Sequence, residues 1–307
     1  MKNIILLCLN FVAWWFCPTF LIKAQNTHSF QYDNLNRLIQ VTQVDGSIIL
    51  YEYDEVGNCI GKSIASGNLL ALIIFLEGPF QSSNQNMSRQ LLEVDIIPLN
   101  QPYNQPPWNY SGTESVIDMP TNAVDWVLIE LRQASSPELA TEATVLPGWP
   151  KAMLLMQDGS IKDVAGETPK MGTAVGNNLY LVIHHRNHLS VMSSAPLSLS
   201  GNTYSYDFTD AITKAYGGAT GYKQIGTGVY GMVAGDIDAD GAVGVTDFNL
   251  WASRFGLTNV FNAADADLDG QVGASDFNKW ALNFGVQTLL NGIWQNTPYR
   301  SQVPVIK

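Results

Sequence analysis

The feature that most restricts this chain is a duplication near its end. Asp236 to Gly256 recurs as Asp265 to Gly285, with 13 of 21 positions identical. Each copy reads Asp-x-Asp-x-Asp-Gly-x-Val-Gly-x-[Thr/Ser]-Asp, followed by Phe-Asn-x-Trp-Ala-x-x-Phe-Gly. Aspartates at loop positions 1, 3 and 5 converge on one point when the glycine at position 6 allows a sharp turn. Four carboxylates held this close repel one another unless a cation neutralises them.

Hard oxygen donors in this number suit Ca²⁺, whereas Mg²⁺ takes fewer protein ligands and keeps more water. Two Ca²⁺ ions are therefore the expected cofactors. The first would be held by Asp236, Asp238, Asp240, the carbonyl of Ala242, and Asp247. The second would be held by Asp265, Asp267, Asp269, the carbonyl of Gln271, and Asp276. Position 12 is aspartate in both copies, where an EF-hand loop typically carries glutamate; the shorter side chain can bind one-handed or draw its helix inward.

After each loop, Phe248, Trp251, Ala252 and Phe255, and then Phe277, Trp280, Ala281 and Phe284, fall on one helical stripe closed by Gly256 or Gly285. Helices this short are unstable alone, so the two stripes are expected to pack on each other. Before the first loop there is no leading helix, only the glycine-bearing stretch 226–235. A duplicated loop with an exit helix and no leading helix resembles a dockerin. The resemblance implies calcium-dependent docking to a cohesin, often in the service of polysaccharide-degrading complexes. It also implies partner contacts at loop positions 10 and 11, here Val245, Thr246, Ala274 and Ser275. Docking and simple stabilisation of the fold by calcium both stay open at this point.

Charge bears on partners. Sixteen Lys and Arg stand against 27 Asp and Glu, a formal −11, which excludes the basic surface that nucleic-acid binding relies on. Eight of the acids lie in residues 236–285 against only Arg254 and Lys279. At the other end, Lys2, the apolar run from Ile4 to Phe16 and the small Ala24 read as a secretory signal, residues 1–24, with an uncleaved anchor as the alternative. Cleavage would leave no membrane span and Cys59 as the one cysteine, so the exported protein has no internal disulfide. The expected location is extracellular or at the cell surface.

Between these ends two regions are expected. In residues 27–66, Tyr32-Asp33 recurs as Tyr53-Asp54, with Asp45-Gly46 and Gly57-Asn58 as hairpin turns. These elements resemble the RHS/YD repeats of bacterial surface and toxin proteins, although Asn36 stands where that family usually has glycine and Cys59 where it often has arginine. Residues 67–234 alternate apolar β-type runs with Gly/Pro/Asn turns and read as one β-sandwich. Expected strands include 69–76, 91–99, 126–131, 153–156, 179–184, 190–192, 204–208 and 223–230. The segments 106–115, 125–132 and 184–188 resemble a domain of large secreted Bacteroidetes proteins often labelled haemagglutinin-like. The fold class is thus mainly β: N-terminal hairpins, a central sandwich, and a small helical dockerin-like calcium module at 235–286, followed by a tail, 287–307, whose Leu289, Leu290, Ile293 and Trp294 would pack against that module.

Several features of the central region invite chemistry and resist it. His184 and His185 point to opposite faces of a strand, while His185 and His188 could meet if the chain turns between them; a hydrogen-bonding role is expected. Gly226-Thr227-Gly228-Val229-Tyr230-Gly231 spells a dinucleotide fingerprint but lacks the helix that would hold a pyrophosphate. Trp108 and Tyr110 either stack on a sugar or pack within their loop. Asp125 and Glu130 could pair as acid and base only by tertiary approach. No catalytic residue is assigned. The expected function is a secreted or surface-bound, calcium-binding, non-enzymatic adhesion or structural protein whose module docks to a cohesin-like or other surface protein, or which meets a glycan. The alternative is an accessory or hydrolase-associated subunit in carbohydrate processing; a fragment of a larger YD-repeat protein is a third reading.

Overall fold

The structure is a computed structural model that describes residues 28–42, 48–65, 67–171 and 178–290. The expected export signal, the Asp45-Gly46 turn, and Ile293 and Trp294 of the tail lie outside the described residues. Strands β1 (Ser29–Tyr32), β2 (Leu38–Thr42), β3 (Ile48–Tyr53) and β4 (Cys59–Ala65) form one antiparallel sheet in that order. The two Tyr-Asp elements close equivalent turns. Asp33 Oδ1 accepts the N–H groups of Leu35 and Arg37, and Asp54 Oδ1 those of Val56 and Asn58. Asn36 and Gly57 occupy the same left-handed position of these turns, at φ 63° and 94°. Asparagine tolerates that conformation through its short polar side chain, so it replaces glycine there without breaking the turn.

The next strands build two larger sheets and two separate hairpins. They are β5 (Asn68–Ile73), β6 (Phe80–Gln81), β7 (Asn86–Met87), β8 (Ala123–Gln133), β9 (Lys151–Met156), β10 (Ile161–Lys162), β11 (Lys170–Met171), β12 (Leu179–His185), β13 (His188–Met192), β14 (Ser198–Ser200), β15 (Thr203–Asp207), β16 (Tyr222–Gly226) and β17 (Val229–Met232). One sheet runs β10-β9-β8-β12-β13 and the other β11-β5-β15-β14, with β15 parallel to β5; the hairpins are β6-β7 and β16-β17. Leu70 and Leu72 of β5, Val127 and Ile129 of β8, Leu181 and Ile183 of β12 and Tyr204 of β15 share one buried core, which makes the pair a sandwich. β8, β12 and β13 are buried almost end to end on both faces, so polar residues in them must find partners inside.

Two expected strands differ. Leu91 to Leu99 forms one helical turn, α1 (Gln90–Glu93), and then an irregular segment with Asp95 at φ 56° before Pro98. Leu91 is the buried residue of the turn and Leu92 packs against the same core, so apolar contacts, not a β ladder, fix it. Lys223 to Tyr230 is a hairpin, β16 and β17, broken at Gly226-Thr227-Gly228, where Gly228 takes φ 69°.

Helices α2 (Val245–Arg254) and α3 (Ala274–Asn283) follow the acidic loops and pack on each other. Gly256 and Gly285 sit just past their ends at φ 89° and 87°, the left-handed position expected of a helix stop. The start of the tail runs along the first loop, where Thr288 N–H donates to the Gly241 carbonyl, and then leaves for the sandwich. Leu290 packs against Ala140, Tyr180, Val182 and Met192 of the sandwich, because those residues leave an apolar site on the outer side of β12 and β13; Leu289 stays largely exposed.

Candidate metal centre

Each acidic loop folds on itself through backbone N–H groups. Asp236 accepts Gly241 N–H, and Asp265 accepts those of Asp269 and Gly270. Gly241 and Gly270 take φ 90° and 85°, the turn expected of position 6. Position 4 is also left-handed although it is not glycine: Ala239 at φ 53° and Leu268 at φ 59°. That conformation costs roughly 1–2 kcal/mol for an L-residue. Burial holds it, since both side chains belong to the main core.

The result is two triads. Ligand atoms of Asp236, Asp238 and Asp240 lie within 4.8 Å of one another, and so do those of Asp265, Asp267 and Asp269. Oδ1 of Asp267 is buried with no hydrogen-bond partner. A bare carboxylate oxygen buried among other carboxylates is what a hard cation would satisfy, so the donor set fits calcium. Asp247 and Asp276 brace the loops. Oδ1 of Asp247 accepts Ile237 and Asp238 N–H at 2.6 and 3.1 Å, and Oδ2 accepts Gly244 N–H at 2.7 Å. Asp276 repeats this with Ala266, Asp267 and Gly273. Three of about four lone-pair sites are thereby used, which leaves one on Oδ2.

Burial, reinforced by neighbouring aspartates, pushes these carboxyls up. Asp265 reaches about 8, against opposing pulls from Arg186 and the Gly270 N–H. Asp247 reaches about 7 and Asp276 about 6, although each accepts three backbone N–H groups. Ionising the loops together is therefore costly until positive charge arrives.

The two copies lock by exchange. Trp251 Nε1 donates to the Gly273 carbonyl at 2.9 Å, and Trp280 Nε1 to that of Gly244 at 2.7 Å. Val243 N–H donates to Val286 and Val272 N–H to Leu257, each at 2.8 Å. Phe248, Trp251, Phe277 and Trp280 stack between the helices, with Phe255 and Phe284 at the two ends. The expected stripe is narrower than the spacing indicates, because Ala252 and Ala281 face solvent. Val245, Thr246, Ala274 and Ser275 are all exposed on one end of their helices.

The histidine cluster has a different role from metal binding. The chain turns at Arg186-Asn187, so the Nδ1 atoms of His185 and His188 lie 3.1 Å apart, and both rings are otherwise engaged: His185 Nε2 with Asp125 and His188 Nε2 with Gly78 N–H. Burial lowers both rings' pKa, so they are neutral. His188 Nδ1 meets Asn187 Oδ1 at 2.7 Å, which orients the Asn187 amide nitrogen to donate to the carbonyls of Ala263 and Asp265. The Asn187 carbonyl accepts Gly235 N–H, one residue before the first loop. Arg186 bonds Asp125 and the Asn262 carbonyl and lies over the Phe261 ring. This turn thus ties the sandwich to the start of both loops. Sequence reasoning missed it; the available signal was a polar run, His184 to His188, inside strands too apolar to leave it unpaired.

Other candidates resolve plainly. Asp125 lies in a buried ion pair with Arg186 and is hydrogen-bonded to His185, while Glu130 lies in a separate buried cluster with Arg132 and His184. Burial pushes Glu130 up, but His184 and Arg132 outweigh it and hold the carboxyl at about 2, far below what a general acid needs. Trp108 and Tyr110 are buried; Trp108 packs edge-on to Tyr103 and against His184, so neither offers a face to a sugar. The Gly226–Gly231 stretch is the β16–β17 hairpin. No helix among the described residues is long and apolar enough to cross a membrane.

No family model matches this chain, and no curated protein does. Among solved structures it is similar to an N-terminal interface mutant of a type II cohesin–X–dockerin complex from Acetivibrio cellulolyticus, at 16% identity over 52% of this chain and 83% of that one, with a TM-score of 0.29. A C-terminal interface mutant of the same complex gives 14% identity over 72% and 97%, with a TM-score of 0.35. Likeness this slight carries no argument about function.

Proposed function

We propose that residues 236–285 bind two Ca²⁺ ions and that the chain is an exported, non-enzymatic surface or adhesion protein held in shape by them. The observation that carries the calcium reading is the pair of aspartate triads, each with its ligand atoms within 4.8 Å, one with a bare buried oxygen. Asp236, Asp238, Asp240 and the Ala242 carbonyl would hold one ion, and Asp265, Asp267, Asp269 and the Gln271 carbonyl the other. Asp247 and Asp276 would each add the single lone pair left on Oδ2. The ion supplies the charge that lets these buried acids ionise together.

Because Gly235, just before the first loop, and Asp265, the first residue of the second, are bonded to Asn187, ordering the loops also orders the edge of the sandwich. Val245, Thr246, Ala274 and Ser275 stay exposed and remain the surface for a partner protein. Calorimetric titration of the mature chain with CaCl₂ tests the reading. It should give two sites, with one remaining in Asp265→Ala; absence of binding heat at millimolar Ca²⁺ would overturn it. A pull-down on immobilised wild type and Thr246→Arg/Ser275→Arg, with and without Ca²⁺, tests the partner surface: loss of a calcium-dependent partner in the variant supports it, and retention sinks it.

A further inference from the structure

Away from the acidic loops, the fold gathers Lys223, Asn283 and Glu77 from three distant stretches of chain. Lys223 lies on β16, Asn283 is the last residue of α3, and Glu77 follows β5. Lys223 Nζ stands 2.8 Å from Asn283 Oδ1 and 2.9 Å from Glu77 Oε1. Asn283 Nδ2 donates to Glu77 Oε2 at 2.7 Å and to the Ala234 carbonyl at 2.9 Å. Glu77 and Asn283 are buried, while the Lys223 side chain keeps 32% of its exposure. The carboxylate thus touches both an amine and the amide that the amine touches. In the repeat, Asn283 and Lys279 replace Arg254 and Leu250 of the first copy, and Lys279 Nζ donates to the Glu77 carbonyl. The copies diverge where the second faces Glu77.

We propose that Lys223 and Asn283 form an intramolecular isopeptide bond, with Glu77 as the proton carrier. Lysine amines attack carbonyl carbon once deprotonated, and a held pair gains greatly over a free one. Glu77 takes a proton from the Lys223 ammonium and frees the Nζ lone pair. Nζ adds to Cγ of Asn283, whose oxygen it already contacts, and negative charge moves to Oδ1. Glu77 passes its proton to Nδ2 and takes one from the new Nζ–Cγ nitrogen. The carbonyl re-forms, the Cγ–Nδ2 bond breaks, and ammonia leaves, carrying the Glu77 proton as ammonium. The carboxylate is regenerated and nothing is oxidised or reduced. The product staples the end of α3 to β16, a covalent tie between helical module and sandwich in a chain with no disulfide among its described residues. It does not depend on calcium occupancy.

Intact-mass spectrometry of the folded mature chain tests the bond directly. Loss of ammonia places the wild type about 17 Da below its sequence mass, and a protease digest yields one branched peptide joining Lys223 to Asn283. Lys223→Arg and Glu77→Gln should both show the full mass. A wild type that is folded by circular dichroism yet carries its full mass overturns the proposal. So does a deficit that persists in Lys223→Arg, which would place the loss elsewhere, as in cyclisation of an N-terminal Gln25.

Discussion

The first and second copies of the loop–helix unit agree in their four loop aspartates and in the aromatic residues they pack on each other. Their three acids, their position-12 brace, their tryptophan-to-carbonyl bonds and their stacked rings superpose in kind. They part where they meet the rest of the molecule. In the second copy the loop is gripped through Asp265 by Asn187, and the helix presents Lys279 and Asn283 to Glu77. In the first, the equivalent positions are Leu250 and Arg254, and Arg254 reaches no further than the Leu250 carbonyl of its own helix, while Leu250 packs against Ile237, Ala264 and Val272. The same helix position thus serves the packing between the copies in the first, through Leu250, and the sandwich in the second, through Lys279. The second copy meets the sandwich through side chains, whereas the first is tied to the same Asn187 through the Gly235 N–H and packs Val243 against Leu189 and Val233.

The largest expected effect separates the copies by ligand removal. Asp265→Ala and Asp236→Ala should each cost the calcium-loaded chain roughly the 2.7 kcal/mol that an ion at a hundred times its dissociation constant contributes, and Asp265→Ala should cost more because its loop is also bonded to the Asn187 side chain. Denaturant unfolding in Ca²⁺ measures both, and equal losses would remove the energetic distinction between the two copies. Next comes pH. In EDTA, Asp265, Asp247 and Asp276 have folded pKa values of about 8, 7 and 6, above the unfolded value near 3.9. Groups raised in this way stabilise the fold fully below the unfolded pKa and lose that contribution as pH rises through the folded one. The melting temperature in EDTA should thus rise as pH falls from 8 to 5, and in excess Ca²⁺ it should fall over the same range. Identical trends in both media would contradict the assignment.

Asn187→Ala removes the two donors to the carbonyls of Ala263 and Asp265 and should cost about 1–3 kcal/mol, since these groups are buried. Its effect should fall on the second calcium site before the first, as read by calorimetric titration. The smallest effects test the exchange symmetry. Trp251→Phe and Trp280→Phe each delete one hydrogen bond and should each cost about 1 kcal/mol. A clear inequality would show that the sandwich, not the partner copy, sets the strength of these bonds.

The contrast also explains what was legible in the sequence. The aspartate spacing, the helical stripe and the glycine stops are local patterns: the aspartates gather into two triads and the glycines sit at the helix ends, while Ala252 and Ala281 lie outside the packed seam. Most sandwich strands were legible for the same reason, as short apolar runs between turns. Leu91 to Leu99 failed because one buried leucine in a helical turn mimics the start of a strand, and Lys223 to Tyr230 because its glycines sit at the turn of a hairpin. The Arg186-Asn187 clamp and the Glu77 cluster join residues from 49 to 206 positions apart. No periodicity reports such meetings. Only the cost of burying His184 to His188 without partners hinted at the first, and the divergence of Asn283 from Arg254 at the second.

The central claim is that cations hold the duplicated loops and, through them, the edge of the sandwich. Scanning calorimetry of the mature chain at neutral pH, in millimolar Ca²⁺ and then in excess EDTA, addresses it most directly. The account predicts a markedly lower melting temperature in EDTA, restored by adding Ca²⁺ back. An unchanged melting temperature in EDTA would contradict it.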